Sequence, residues 1–560
     1  MRRVVDDIPP RLWAVAVIGF WERFTFWGLT APWRTSMSLL PVTQTRTDVK
    51  VLENFMENSR YSDSGAPGAL GLGQAMATRI YCAFYILYYV TPLLFAIISD
   101  VRLGRFKTLC LSVVLYVLGC GVLVASSSEG LLNAGFGLAG FLIAMTLVAL
   151  GGGGFKMLMV PFIADQYTAP LQRIKTLRTG ERVLTDRSLT VQYIYNLYYW
   201  VGNVGSLSWF ATTTLEKYYS FTVAYSVTFG SMVIAMVMLF MGSKWYAQAP
   251  HEGNVLPSAV RILVCASRNG FKMSRAYPEY QLEERGKSVT WDNQLVDELC
   301  RGLRACRVLI AFVVFYVCFD QMQNNLISQA NQMKTNGIPN DMMPAMNQVA
   351  CIILGPIIQY GLYPYLNRRK IPFRPIARIT VGFLFIALSM LYSMTVQHLV
   401  YSAPPCYTHP GKCDLPPPEK GPALGNNVNV WIQAPVYFLM AIGEIFAYVT
   451  GLEYAYDHSP TAMKAIVQAI SLLVAGVGSA VAMALTPVAR DPNLTILYGS
   501  LFGAMTVTAA TFWWRFRKYD SPSLCETSGG ELAAETEGTP NEGTSSVTLG
   551  GIKRHHRAPV

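Results

Sequence analysis

The chain has 560 residues, 52% of them hydrophobic and only 14% charged, with mean hydropathy +0.31. That balance excludes an ordinary soluble domain of this length and reads as an all-α polytopic membrane protein. The net charge of +11 is accounted for by loop topology and contact with anionic lipid, so no nucleic-acid partner is needed to explain it.

A helix needs about 20 mostly apolar residues to cross roughly 30 Å of hydrocarbon. Twelve segments of that kind are read, at 11–31, 72–99, 106–126, 135–163, 190–212, 219–242, 305–328, 344–365, 375–398, 430–456, 463–487 and 494–516. Arg2, Arg3, Asp6 and Asp7 precede the first span, whose apolar run is too long and too charged for a cleavable signal. The basic residues gather on one side of the membrane, in the 100–107 loop, in the loop holding Arg173, Lys175, Arg178, Arg182 and Arg187, and in the one holding Arg368 to Arg378. With an even number of spans, both termini are expected in the cytoplasm of a multi-pass protein.

The chain divides into an N-terminal six-helix bundle (1–242), a polar cytoplasmic linker (243–304), a C-terminal six-helix bundle (305–516) and a Ser, Gly and Glu-rich tail (517–560) expected to be disordered. A 6+6 plan is that of a transporter whose halves rock around a midplane site. Most of the eleven cysteines, Cys351 among them, read as packing residues or reduced thiols, and they make no metal-ligand spacing. Cys406 and Cys413 flank a short outside segment, where a disulfide and two free thiols are both open. Enzyme signatures such as H-E-x-x-H, a Walker loop or a nucleophile elbow are not found, and no cofactor is expected.

An ionised side chain at the bilayer centre costs about 2.5–3.5 kcal/mol on insertion scales, so intramembrane charges mark function or a static ion pair. Glu22 and Arg23 lie near the middle of span 1, Lys156 in span 4 after four glycines, Asp320 in span 7 and Glu444 near the midpoint of span 10. Helical spacing puts Arg23 and Trp27 on one face and turns Glu22 about 100° away, toward a neighbouring helix. For Asp320 a static or gating role is preferred. Arg23, Lys156 and Glu444 come from three helices of both halves and carry both signs, as a site for a zwitterion requires. Gly151 to Gly154 read as a close-packing device. Asn203 and Asn347 are amides at membrane depth, suited to interhelical bonds or to a ligand.

These stretches together resemble the proton-dependent oligopeptide transporters, the peptide and nitrate branch of the major facilitator superfamily, and especially its fungal members. ERFTFWG is similar to the family's first-helix E-x-x-E-R-F-x-Y-Y-G, GGGGFKMLMVPFIADQY to its fourth-helix lysine motif, and YYWVGNVGSL to its fifth-helix pattern. YVTPLLFAIISDVRLGRFKT, DQMQNNLISQA and APVYFLMAIGEIFAYVTGLEYAYDHSPTAMK resemble its second, seventh and tenth spans. The resemblance covers nearly all of 11–516. It implies proton handling at Glu22, binding of a substrate carboxylate at Arg23, coupling at Lys156 and receipt of a substrate amino group at Glu444. It also implies pocket positions at Trp27, Tyr89, Asn203, Tyr316 and Asn347, and outer gating at Asp320. Gly19 stands where the motif has its first glutamate, Trp27 where a tyrosine is usual, and Ser471 where a tryptophan is common in span 11.

The reading is a proton-coupled plasma-membrane symporter that imports di- and tripeptides or peptide-like solutes by alternating access, with peptide, protons and the lipid bilayer as its partners. The rival readings are a divergent carrier of nitrate or a peptide-derived metabolite, working as importer or exporter, and a weakly transporting peptide sensor.

Overall fold

The computed structural model describes residues 3–33, 74–167, 172–176, 181–247, 255–334 apart from 271, 287 and 324, 342–408 apart from 372, 426–457, 464–485 and 491–520. Each of the twelve predicted spans falls on helix. They are Pro10–Trp33, Gln74–Ile98, Gly104–Ser126, Gly137–Asp165, Arg187–Ser206 continued by Ser208–Tyr218, and Phe221–Met241 in the first half. In the second half they are Phe312–Asp320 with Asn325–Asn331, Ala345–Pro356, Pro375–Ser402, Ala434–Gly443 running on to Asp457, Lys464–Ala484 and Leu494–Phe516. Among the described residues, eight helical stretches are each long and apolar enough to cross a bilayer. Span 1 is not one of them; it carries Arg11, Glu22 and Arg23.

Two large apolar cores form. One joins Val15, Tyr116, Phe141, Phe155 and Tyr225 of spans 1, 3, 4 and 6. The other joins Phe315, Phe383, Tyr437, Met505 and Phe512 of spans 7, 9, 10 and 12. In lipid the gain from such contacts is close packing and not removal from water, and small residues decide where it is possible. The glycine run works this way. A Cβ at Gly151 would stand 2.6 Å from the Tyr116 nitrogen and 2.7 Å from the Ser112 oxygen, and one at Gly153 would stand 2.9 Å from the Tyr88 oxygen. Span 4 therefore seats backbone to backbone on spans 2 and 3, with Lys156 just beyond the contact. The halves meet where span 2 packs on span 11 and span 5 on span 8.

Two polar regions carry more structure than their composition announces. The linker forms helices Val255–Arg268 and Asn293–Ala305. Their apolar faces, with Ile262, Ala266, Val296 and Leu299, close on Ala96 and Met157 of the first half and Leu472 of the second. The basic loop between spans 4 and 5 forms strands Gln172–Thr176 and Arg182–Asp186, and Arg3–Val4 adds to the latter as a parallel edge. Asp6 fastens that edge by accepting from Tyr167 Oη at 2.9 Å and donating its backbone N–H to Thr190 Oγ1 at 3.0 Å. Cys406 is disulfide-bonded, while Cys413 lies outside the described residues.

Candidate functional site

Span 1 supplies the first charged pair, and its geometry corrects the spacing argument. Glu22 lies in electrostatic reach of Tyr88, Tyr116 and Lys156 on neighbouring helices, but its bonded partner is the next residue: Arg23 Nε donates to Glu22 Oε2 at 2.6 Å and Nη2 to Oε1 at 2.8 Å. The reason is desolvation. Glu22 is fully buried, a buried carboxylate without a hydrogen-bonded counter-charge is costly, and the guanidinium fork matches it at two points. Arg23 also lies over the Phe26 ring at 5.3 Å and runs along span 5, where a Cβ at Gly202 would be 3.4 Å from its Cγ.

Lys156 is set differently. Its ammonium sits over the rings of Tyr88 and Tyr89, 5.3 and 5.4 Å from their centroids, with Arg23 and Glu22 in electrostatic reach. Among the described residues no carboxylate lies within ion-pair distance of it. Two tyrosine faces attract a cation without neutralising it. Tyr89 also touches the other half, since a Cβ at Gly476 would meet its Cβ at 3.4 Å.

On the second half, Glu444 opens a wide π-helical turn, Glu444–Val449, in span 10. Such turns interrupt the helical ladder and recur at functional sites. Three donors converge on its carboxylate: Tyr199 Oη at 2.9 Å, Asn347 Nδ2 at 3.0 Å and Cys351 Sγ at 3.7 Å. Oδ1 of Asn347, which is 2% exposed, has no hydrogen-bond partner among the described residues. Tyr199 and Cys351 are not among the site residues expected from the sequence, where Cys351 reads as packing. The signal that could find them is helical spacing, for Tyr199 is four residues before Asn203 and Cys351 four after Asn347, each on the same face as its neighbour.

The remaining expected positions spread around this core. Asn203 donates to the Tyr199 carbonyl of its own helix at 3.0 Å. Tyr316 meets Tyr448 edge-on at 6.4 Å and lines a small hollow with Phe312, Leu452, Ser471 and Val474. That hollow adjoins the serine that replaces the tryptophan common in the family. Asp320 ends the helix Phe312–Asp320, in electrostatic reach of Tyr89 and Tyr316. Trp27 stacks on Trp209 at 5.5 Å, joins an apolar cluster with Ala31, Phe210 and Ala345, and meets Phe26, the ring under Arg23, edge-on at 5.4 Å.

Twelve helical spans around two apolar cores, with half-buried cations on the first half and a half-buried carboxylate on the second, have the architecture of the major facilitator class. Similarity to known proteins gives the family. The profile of the POT family matches residues 106–507. The chain is 34% identical to the peptide transporter PTR2 of Saccharomyces cerevisiae over 93% of its own length and 81% of that protein's. It is 34% identical to the peptide transporter PTR_B of Candidozyma auris over 93% and 84%. The crystal structure of the POT family transporter PepTSo matches with a TM-score of 0.64 at 22% identity, over 92% of this chain and 99% of that one. The chain belongs to the POT family.

Proposed function

We propose that the chain is a proton-coupled symporter that imports di- and tripeptides, or solutes shaped like them, by alternating access. The observation that carries this reading is a half-buried cation on one half and a half-buried carboxylate on the other. Lys156 on the first half presents a cation with no carboxylate within ion-pair distance among the described residues, and Glu444 on the second presents a carboxylate held by neutral donors. A peptide's carboxylate and ammonium need such a pair, held apart in a polar cleft. The open acceptor of Asn347 beside Glu444 gives the ammonium a further partner.

Coupling follows from the Glu22–Arg23 pair. While Glu22 is ionised, both arms of the Arg23 fork that face it are occupied. A proton on Glu22 cancels the attraction and releases Arg23 to receive the substrate carboxylate, so proton and peptide load together. Lys156 then helps to return the proton. Trp27, Tyr89, Asn203 and Tyr316 shape the cavity, and Asp320 serves the gate. The bundles 1–242 and 305–516 are the rocking units, joined by the 243–304 linker, in a plasma-membrane protein with both termini cytoplasmic. Names of relatives agree with this substrate class: several fungal relatives are named peptide transporters, and one POT structure was solved with 5-aminolevulinic acid.

The test is uptake of labelled dipeptides and tripeptides by proteoliposomes under an imposed proton gradient, comparing wild type with Glu444→Gln. Wild-type accumulation that collapses without the gradient, and a variant that no longer favours peptides with a free amino terminus, are the expected results. Equal uptake of N-acetylated and free peptides by the wild type would remove Glu444 from the role of ammonium acceptor.

A further inference from the structure

At the end of the C-terminal half away from the linker, four buried glutamines form a single file of hydrogen bonds. Tyr437 Oη donates to Gln433 Oε1 at 3.3 Å. Gln433 Nε2 donates to Gln329 Oε1 at 2.9 Å, Gln329 Nε2 to Gln397 Oε1 at 2.9 Å, and Gln397 Nε2 to Gln332 Oε1 at 2.7 Å. Gln332 Nε2 then donates to both oxygens of Asp491 at 3.1 Å, and Tyr401 Oη donates to the same carboxylate. Tyr437, Gln433, Gln329 and Gln397 are 0% exposed and Gln332 is 9% exposed.

Every bond in this file runs the same way, and the carboxylate explains why. An ionised Asp491 can only accept, so Gln332 must aim its NH2 at it. That leaves the Gln332 oxygen toward Gln397, which forces the NH2 of Gln397 there. The constraint passes in turn to Gln329, to Gln433 and to the Tyr437 hydroxyl. The same direction is held from the other end, where a flip of Gln329 or Gln433 would set an amide oxygen against a backbone oxygen that only accepts. Gln329 and Gln433 also bond backbone oxygens of Ser393 and Leu326, so the direction of the amides fixes how spans 7, 9 and 10 sit against one another. Tyr437 lies seven residues before Glu444 in span 10, two helical turns along nearly the same face.

We propose that Asp491 is a positioning residue for the peptide site: its carboxylate anchors the outer end of the glutamine file and through it the placement of span 10, which carries Glu444. The effect on peptide rests on the functional reading above, while the file itself does not.

A charge swap tests both parts in the full-length protein. Asp491→Asn removes the fixed acceptor, and Gln332→Glu sets a second carboxylate against the first. Together they restore the pattern. In the double variant the new carboxylate at position 332 accepts from Gln397 Nε2 and from the new amide at position 491, whose oxygen accepts from Tyr401. Each single variant should lower the melting temperature measured without substrate. Each should also raise KM for proton-driven dialanine uptake by roughly tenfold, with maximal rate per inserted molecule little changed. The double variant should return both quantities to within about twofold of wild type. Asp491→Asn behaving as wild type in KM would overturn the proposal, and so would a double variant that folds yet binds no better than the worse single. A wild type that takes up no dialanine would sink the functional reading instead. The melting cycle would still judge the file, and additive melting losses would dismiss it.

Discussion

The Tyr199 hydroxyl, on the first half, donates a 2.9 Å hydrogen bond to the Glu444 carboxylate on the second. Trp200, the next residue, reinforces the same seam by donating Nε1–H to the Ile352 carbonyl at 3.2 Å. Tyr199 thus holds the halves together at the acid proposed above to receive a substrate ammonium. The empty carrier must close to return, whereas exchange of one peptide for another needs only the loaded form. A hydrogen bond to a charged group is worth about 1.5–3 kcal/mol, so Tyr199→Phe should slow net uptake by roughly tenfold or more. Counterflow exchange should change less. Parallel measurement of both rates in proteoliposomes checks this, and equal slowing of the two would assign Tyr199 to substrate binding alone.

The bidentate Glu22–Arg23 pair carries a second expectation. Glu22→Gln mimics the protonated acid and leaves Arg23 without its counter-charge. The variant should exchange peptide well and lose most of its dependence on external pH, but fail to accumulate peptide against a gradient. The check is initial uptake against external pH, with counterflow measured alongside. Proton-driven accumulation at the wild-type level would move the coupling acid elsewhere.

Gly19 is held by packing. A Cβ there would collide with Cε2 of Tyr198 and stand 3.2 Å from its Cζ. The tyrosine ring therefore occupies the space that a glutamate at this position would need. Gly19→Glu should destabilise the protein, since overpacking a filled contact typically costs about 1–3 kcal/mol. Gly19→Glu with Tyr198→Ala should recover surface expression and melting temperature, and only then can a second acid act on the pH profile. Thermal melting of both variants in detergent decides it.

Gly151 gives a stability prediction free of the charged site. Its missing Cβ leaves room for backbone atoms of Tyr116 and Ser112 at 2.6 and 2.7 Å, which cannot rotate away as a side chain could. Gly151→Ala should force spans 3 and 4 apart and cost about 1–3 kcal/mol. Gly130→Ala, which meets nothing within 4 Å among the described residues, should be neutral or slightly stabilising. Melting temperatures of the two at equal protein concentration provide the comparison.

Much of this protein is written along the chain itself. Runs of about 20 apolar residues fall on helices because lipid satisfies no backbone hydrogen bond. The cost of burying charge alone is enough to single out Glu22, Arg23, Lys156 and Glu444. What the chain does not disclose is which neighbour each charge answers to. Helical spacing turns Glu22 away from Arg23, yet side-chain torsions bring the two together at 2.6 Å, because desolvation outweighs the direction in which a Cβ points. Cys351 looks like filler until span 8 meets span 10 and sets its sulfur 3.7 Å from Glu444. The glutamines at 329, 332, 397 and 433 are scattered over three spans and carry no shared motif. Only folding stacks them between the Asp491 carboxylate and the backbone oxygens of Ser393 and Leu326 that give their amides one direction, since hydrogen-bond polarity belongs to the assembled network and to no residue by itself.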